Sequence, residues 1–146
     1  TNQYSFSYDG VSWTTRTLPT NQDWVDAAYG QLPNGDHRFV AIAENSNVAA
    51  YSSDGLNWTS TNLPTGDDSS GDQWLCIAFG QQRFVAITGS QTRDVAYSAN
   101  GQTWSRYNNV LPGDYNWINL EYGNNRFLAF AEDGTVAYSL DKGATW

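Results

Sequence analysis

The sequence predicts an all-β chain of repeated four-stranded antiparallel sheets, and three observations predict it. Four landmarks recur in one order at one period. Turn signals arrive roughly every 8–12 residues. β-Branched and aromatic residues recur throughout, with no 3.6-residue periodicity long enough for a helix. Repeats of about 40–50 residues, each a supersecondary unit stacked on its neighbours, produce this pattern.

The first landmark is Phe6-Ser-Tyr-Asp-Gly-Val-Ser-Trp13, which returns as Tyr51-Ser-Ser-Asp-Gly-Leu-Asn-Trp58, Tyr97-Ser-Ala-Asn-Gly-Gln-Thr-Trp104 and Tyr138-Ser-Leu-Asp-Lys-Gly-Ala-Thr-Trp146. The Trp-to-Trp steps are 45, 46 and 42 residues. A Leu-Pro pair follows at Leu18, Leu63 and Leu111. Next comes Trp24-Val-Asp-Ala-Ala-Tyr-Gly30, then Trp74-Leu-Cys-Ile-Ala-Phe-Gly80 and Trp117-Ile-Asn-Leu-Glu-Tyr-Gly123. The last is Arg38-Phe-Val-Ala-Ile42, Arg83-Phe-Val-Ala-Ile87 and Arg126-Phe-Leu-Ala-Phe130.

Each unit reads as four short strands. The first runs from its Trp to the aromatic-Gly pair. A turn follows, with Asn34-Gly35 a good hairpin signal in the first unit. The second strand starts at Arg-Phe, the third ends at Tyr-Ser, and Asp-Gly or Asn-Gly turns the chain into the fourth. Both faces are apolar. Strict alternation puts Leu75, Ile77 and Phe79 on one face and Trp74, Cys76 and Ala78 on the other. A sheet covered on one side would alternate apolar with polar; one clasped between two neighbours need not. Such units are blades of a β-propeller. A β-sandwich is the runner-up, but it does not demand so strict a period. The organisation expected is one repeat domain, 1–146: a partial blade at 1–13, then blades at 14–58, 59–104 and 105–146.

Composition removes several functions. Net charge is −8, with 7 Lys+Arg against 15 Asp+Glu. Nucleic-acid binding through a basic patch is not expected, anionic membrane surfaces repel the chain, and no apolar run suits membrane insertion. The single cysteine, Cys76, sits in an apolar strand and cannot form an internal disulfide. The single histidine, His37, lies by a turn. No signal peptide is visible, but with no initiator Met and a pattern open at Trp146 the chain reads as a segment of something longer. Few lysines and many carboxylates fit an extracellular or virion surface loosely.

The fourth copy, Ser139-Leu-Asp141-Lys-Gly143-Ala-Thr145-Trp146, resembles the Asp-box, Ser-x-Asp-x-Gly-x-Thr-Trp, of the BNR-repeat propellers, a group that includes sialidases and sortilin-like receptors. The other copies lack one residue between Asp (or Asn) and Gly. The resemblance implies blades, not a reaction. Structural turn roles are expected for Asp9, Gly10 and Trp13; for Asp54, Gly55 and Trp58; for Asn100, Gly101 and Trp104; and for Asp141, Gly143 and Trp146. The acid or amide caps backbone N–H groups, Gly supplies positive φ, and Trp buries apolar area beneath the hairpin.

Sialidase-like catalysis, by resemblance, needs three converging arginines and a Tyr–Glu pair. Arg38, Arg83 and Arg126 hold one repeated position, so they point around the ring and read as stems packed over aromatics. No catalytic residue is assigned. A non-catalytic binding or scaffold module is expected, with carbohydrate a candidate ligand and a fragment of a sialidase-like glycoside hydrolase the alternative. The ligand candidates are Trp24, Trp74 and Trp117 as stacking platforms, with Asp26, Asn119 and Glu121 lining a channel. No cofactor is expected beyond a weak Ca²⁺ candidate in the loop holding Asp67, Asp68 and Asp72.

Three units and a fragment do not close a ring of 4–8 blades. Leaving roughly 250–400 Å² of apolar face bare at each end costs about 6–10 kcal/mol at ~25 cal/mol/Å². The expectation is therefore a homo-oligomer, most simply a dimer completing a ring, or further blades in a longer chain, with a glycan or protein as ligand.

Overall fold

The computed structural model describes residues 2–65, 73–89 and 92–146. Among them every regular element is a β-strand. In chain order these are β1 (Gln3–Phe6), β2 (Thr14–Thr17), β3 (Trp24–Gln31), β4 (His37–Ala43), β5 (Val48–Ser52), β6 (Thr59–Asn62), β7 (Trp74–Gly80), β8 (Arg83–Thr88), β9 (Val95–Ser98), β10 (Ser105–Tyr107), β11 (Trp117–Gly123), β12 (Arg126–Ala131) and β13 (Val136–Ser139).

They form four antiparallel meanders: β1–β2, β3–β4–β5–β6, β7–β8–β9–β10 and β11–β12–β13. This pairing moves the expected boundaries. Thr14–Thr17 pairs with Gln3–Phe6, and Thr59–Asn62 pairs with β5. The units are thus 3–17, 24–62, 74–107 and 117–139, rather than 14–58, 59–104 and 105–146. The recurring Trp ends a turn, and the strand behind it belongs to the sheet in front. The first sheet holds only the third and fourth strand positions of the repeat, and the last only the first three.

The two cores lie between sheets. One joins Val40 and Ile42 of the second sheet to Trp74, Ile77, Phe84 and Ala86 of the third. The other joins Cys76, Val85 and Ile87 of the third to Trp117, Leu120, Phe127 and Ala129 of the fourth. The third sheet is therefore covered on both faces, which explains why its strands carry no polar alternation.

The alternation expected in β7 breaks at its start. Trp74 groups with Ile77, and Leu75 packs on the opposite core with Cys76 and Ala78. A β-bulge is the reason: Trp74 faces Thr88 and Cys76 faces Ile87, which leaves Leu75 as the extra residue. The same shift occurs between Trp24 and Asp26 and between Trp117 and Asn119. An extra residue on one strand bends it and re-aims what precedes it. The bulge turns Trp74 and Trp117 into the interior.

Glycine sets how close the sheets come. A β-carbon on Gly30 would lie 2.0 Å from the Phe79 ring, and one on Gly80 would lie 2.1 Å from the Tyr122 ring. Each aromatic-Gly pair thus offers a ring to the sheet before it and a hole to the sheet after it. The hole at Gly123 is empty, with nothing within 4 Å, while the Tyr29 ring is 51% exposed.

Candidate functional site

The repeated hairpins come first, because they hold the loops in place. Ser52 Oγ donates to Asp54 at 2.9 Å and accepts the Gly55 N–H at 2.9 Å. Asp54 Oδ1 accepts the N–H groups of Leu56 and Asn57, both at 2.8 Å. Asp9 repeats this with Val11 and Ser12, Asn100 with Gln102 and Thr103, and Asp141 with Thr145. The longer fourth copy keeps the pattern by placing both Lys142 (φ 64) and Gly143 (φ 85) in the left-handed region. The hydrogen-bonded N–H groups hold the Asp9 and Asp54 carboxyls well below the usual carboxylate range. The aspartates, Asn100 and the glycines are thus engaged within their turns, and Trp58 and Trp146 donate their indole N–H to Gly55 and Gly143. Trp58, Trp104 and Trp146 are half-buried, but Trp13 is 63% exposed. Its hairpin belongs to the sheet that lacks its inner strands.

The arginines read as structural supports. Arg38 lies over the Tyr51 ring at 5.0 Å and Arg83 over the Tyr97 ring at 4.6 Å. Each therefore stacks on an aromatic of its own sheet.

Two proposed platforms are corrected. Trp74 and Trp117 are fully buried, so neither ring face is open to a sugar. Trp24 is half-buried and donates its indole N–H to Thr20 at 3.2 Å. The bulge that follows Trp74 and Trp117 turns each into the core, whereas Trp24 lines an open groove with Tyr4 and Trp58.

Asp26, Asn119 and Glu121 do come together. They line one groove of about 270 Å³, walled by the first strands β3, β7 and β11. Asp26 Oδ2 accepts the Ile77 N–H at 2.8 Å, and its Oδ1 accepts the Ala27 N–H at 2.8 Å. It thereby bridges two sheets through an edge N–H that no ladder satisfies. Burial is the largest influence on its pKa and raises it above the ordinary carboxylate value; the nearby Glu121 charge adds to that, and the two N–H bonds oppose it. Asn119 and Glu121 are exposed on the same wall. Sequence reasoning missed Tyr29, Phe79 and Tyr122 as groove residues. The signal was their repeated place before glycine.

Other chemistry is sparse. Burial pushes the Cys76 thiol up to about 12, so it is no thiolate nucleophile. His37 Nδ1 meets the Tyr29 hydroxyl at 2.6 Å on the exposed side of the hairpin. Asp67, Asp68 and Asp72 lie outside the described residues. Among the described residues no His, Cys, Asp and Glu side chains gather as a metal site.

No protein-family model matches the chain, and no curated protein matches it. Solved structures do. The chain is similar to YCF48 bound to D1 peptide, with a TM-score of 0.65, 16% identity, and coverage of 100% of this chain and 42% of that one. It is also similar to a streptogramin B lyase, with a TM-score of 0.62, 16% identity, and coverage of 94% of this chain and 47% of that one. The chain spans less than half the length of either. Both neighbours are β-propellers of four-stranded antiparallel sheets, and this chain has that fold, as an arc of blades.

Proposed function

We propose that the chain is a non-catalytic binding or scaffold module of Asp-box type, taking its ligand in the groove of the first strands. One observation carries this. The packing positions repeat from blade to blade, while the groove lining varies: Ala28, Ala78 and Glu121 are equivalent, and Asp26 and Asn119 share a repeat position whose third copy, Cys76, is buried in the core. An invariant frame with a varied polar lining suits recognition of one specific ligand. Two carboxylates and an amide select a donor-rich ligand, either sugar hydroxyls or a polypeptide with amide and ammonium groups. One structural neighbour is a peptide complex, which supports the polypeptide class. The sugar class rests on Asp26, Asn119 and Glu121 and no longer on Trp74 and Trp117.

The alternative is a fragment of a sialidase-like glycoside hydrolase. Its support is that two carboxylates, Asp26, whose pKa burial raises, and Glu121, share one groove, because a glycosidase works with a pair of carboxyl groups.

The test is a glycan array and a peptide array probed with the 146-residue chain, and with Glu121→Gln and Asn119→Ala. Binding without turnover, weakened about tenfold or more by either change, fits the module. Hydrolysis of an arrayed glycoside, lost in Glu121→Gln, transfers the assignment to the hydrolase. Binding that neither change disturbs removes the groove from consideration.

A further inference from the structure

We propose that the two ends of the arc are complementary halves of one inter-blade joint, and that a second copy of this chain fills it head to tail. The internal joints are the template. The ring of Phe79 enters the hole at Gly30, and that of Tyr122 enters the hole at Gly80. A second lock accompanies the first. A β-carbon on Gly101 would meet Val40 at 2.6 Å, and one on Gly143 would meet Val85 at 3.1 Å. In both locks the later sheet projects onto the earlier one.

At the ends each lock is split. The fourth sheet presents the empty hole at Gly123 and, at the position of Val40 and Val85, the half-buried Leu128. The second sheet presents the matching parts, the exposed Tyr29 ring and the half-buried hairpin glycine Gly55, whose carbonyl accepts the Tyr4 hydroxyl of the first sheet at 2.9 Å. On β13 and just beyond it the fourth sheet leaves Val136 51%, Tyr138 55% and Leu140 60% exposed, whereas Val95, the equivalent of Val136, is fully buried in the third sheet. The deficit of each end corresponds to a surplus of the other.

Strand inventory agrees. Tyr29 of a second copy in the Gly123 hole brings that copy's β1 and β2 to the fourth sheet. The duplicated position is the third: β1 and β13 are repeat equivalents, and one gives way to the other. Each copy then supplies two whole blades and half of each of two shared ones, so two copies make six, within the usual 4–8.

The distinguishing variant is Gly123→Leu. Its β-carbon meets nothing in a single copy, so the fold tolerates it while the hole is closed. Sedimentation equilibrium of the wild-type chain should give twice 16.2 kDa. Gly123→Leu and Tyr29→Ala should each weaken the dimer 100-fold or more, with far-UV circular dichroism unchanged. The double variant Tyr29→Cys/Gly123→Cys should form a covalent dimer on oxidation, since the native Cys76 is buried. A stable wild-type monomer overturns the proposal. So does a dimer that withstands both single substitutions.

Discussion

One missing β-carbon decides whether two blades can touch. Gly80→Ala puts a methyl 2.1 Å from the Tyr122 ring, and nothing there yields without opening the joint. Overpacking of this kind costs about 1–3 kcal/mol, so urea melts should show at least that loss for Gly80→Ala and, in the dissociated chain, almost none for Gly123→Ala. The aspartates make a second residue-scale prediction. Asp54 has a folded-state pKa below its unfolded one, because N–H groups bind its charged form. Its stabilisation is present above the unfolded pKa of about 3.9 and is lost as pH falls through the folded value. Asn100 makes the same turn without a charge. Asp54→Asn should therefore keep the hairpin and lower the melting temperature near neutrality. That deficit should shrink toward pH 2 in thermal melts at stepped pH; a constant deficit refutes the charge account. Asp26 runs the other way: raised by burial, it favours the folded state while protonated, and that contribution declines as pH rises through its folded value. The Asp-Gly turns were legible in the sequence because their chemistry is local. The glycine holes were not, because Gly30 and Gly80 have no positive φ to mark them and their reason lies on another sheet.

At the scale of the strand, the bulge matters most. It converts Trp74 and Trp117 from candidate platforms into core, and period-2 reasoning has no means of placing one extra residue. Trp74→Ala should cost about 3–5 kcal/mol, whereas Trp13→Ala, with its ring 63% exposed, should stay within about 0.5 kcal/mol. Equal losses in denaturant titrations would show the two to be alike, contrary to their burial. Cys76, on the bulged strand, should resist a thiol reagent such as DTNB at pH 8 until denaturant unfolds the chain, since burial pushes its pKa up to about 12. Strand existence and order were legible from the repeats. Blade boundaries were not, because the Trp that announces each strand belongs to the turn before it, and only the ladder shows which sheet claims Thr14–Thr17 or Thr59–Asn62.

Across the single chain, dissociated from a second copy, protection should follow sheet coverage. The third sheet is covered on both faces, the second and fourth face open ends, and the first has two strands. Hydrogen exchange should leave β8 and β9 slowest and β1 and β2 fastest, because local opening is easiest where fewest apolar contacts are lost. Uniform protection across the sheets would contradict that ordering. The stacked architecture was legible because apolar residues on both faces require neighbours on both sides. The groove was legible only in part, since Asp26, Asn119 and Glu121 needed three separate strands to meet. The ring-and-hole joint also has a polarity: one end always offers the plug and the other the socket. A head-to-tail contact of that sort terminates only when its accumulated rotation comes full circle. Any change in the angle per joint turns the same contact into an open screw, so Gly-to-Ala variants that splay the sheets belong under the electron microscope, where a closed disc and a growing filament are told apart at sight.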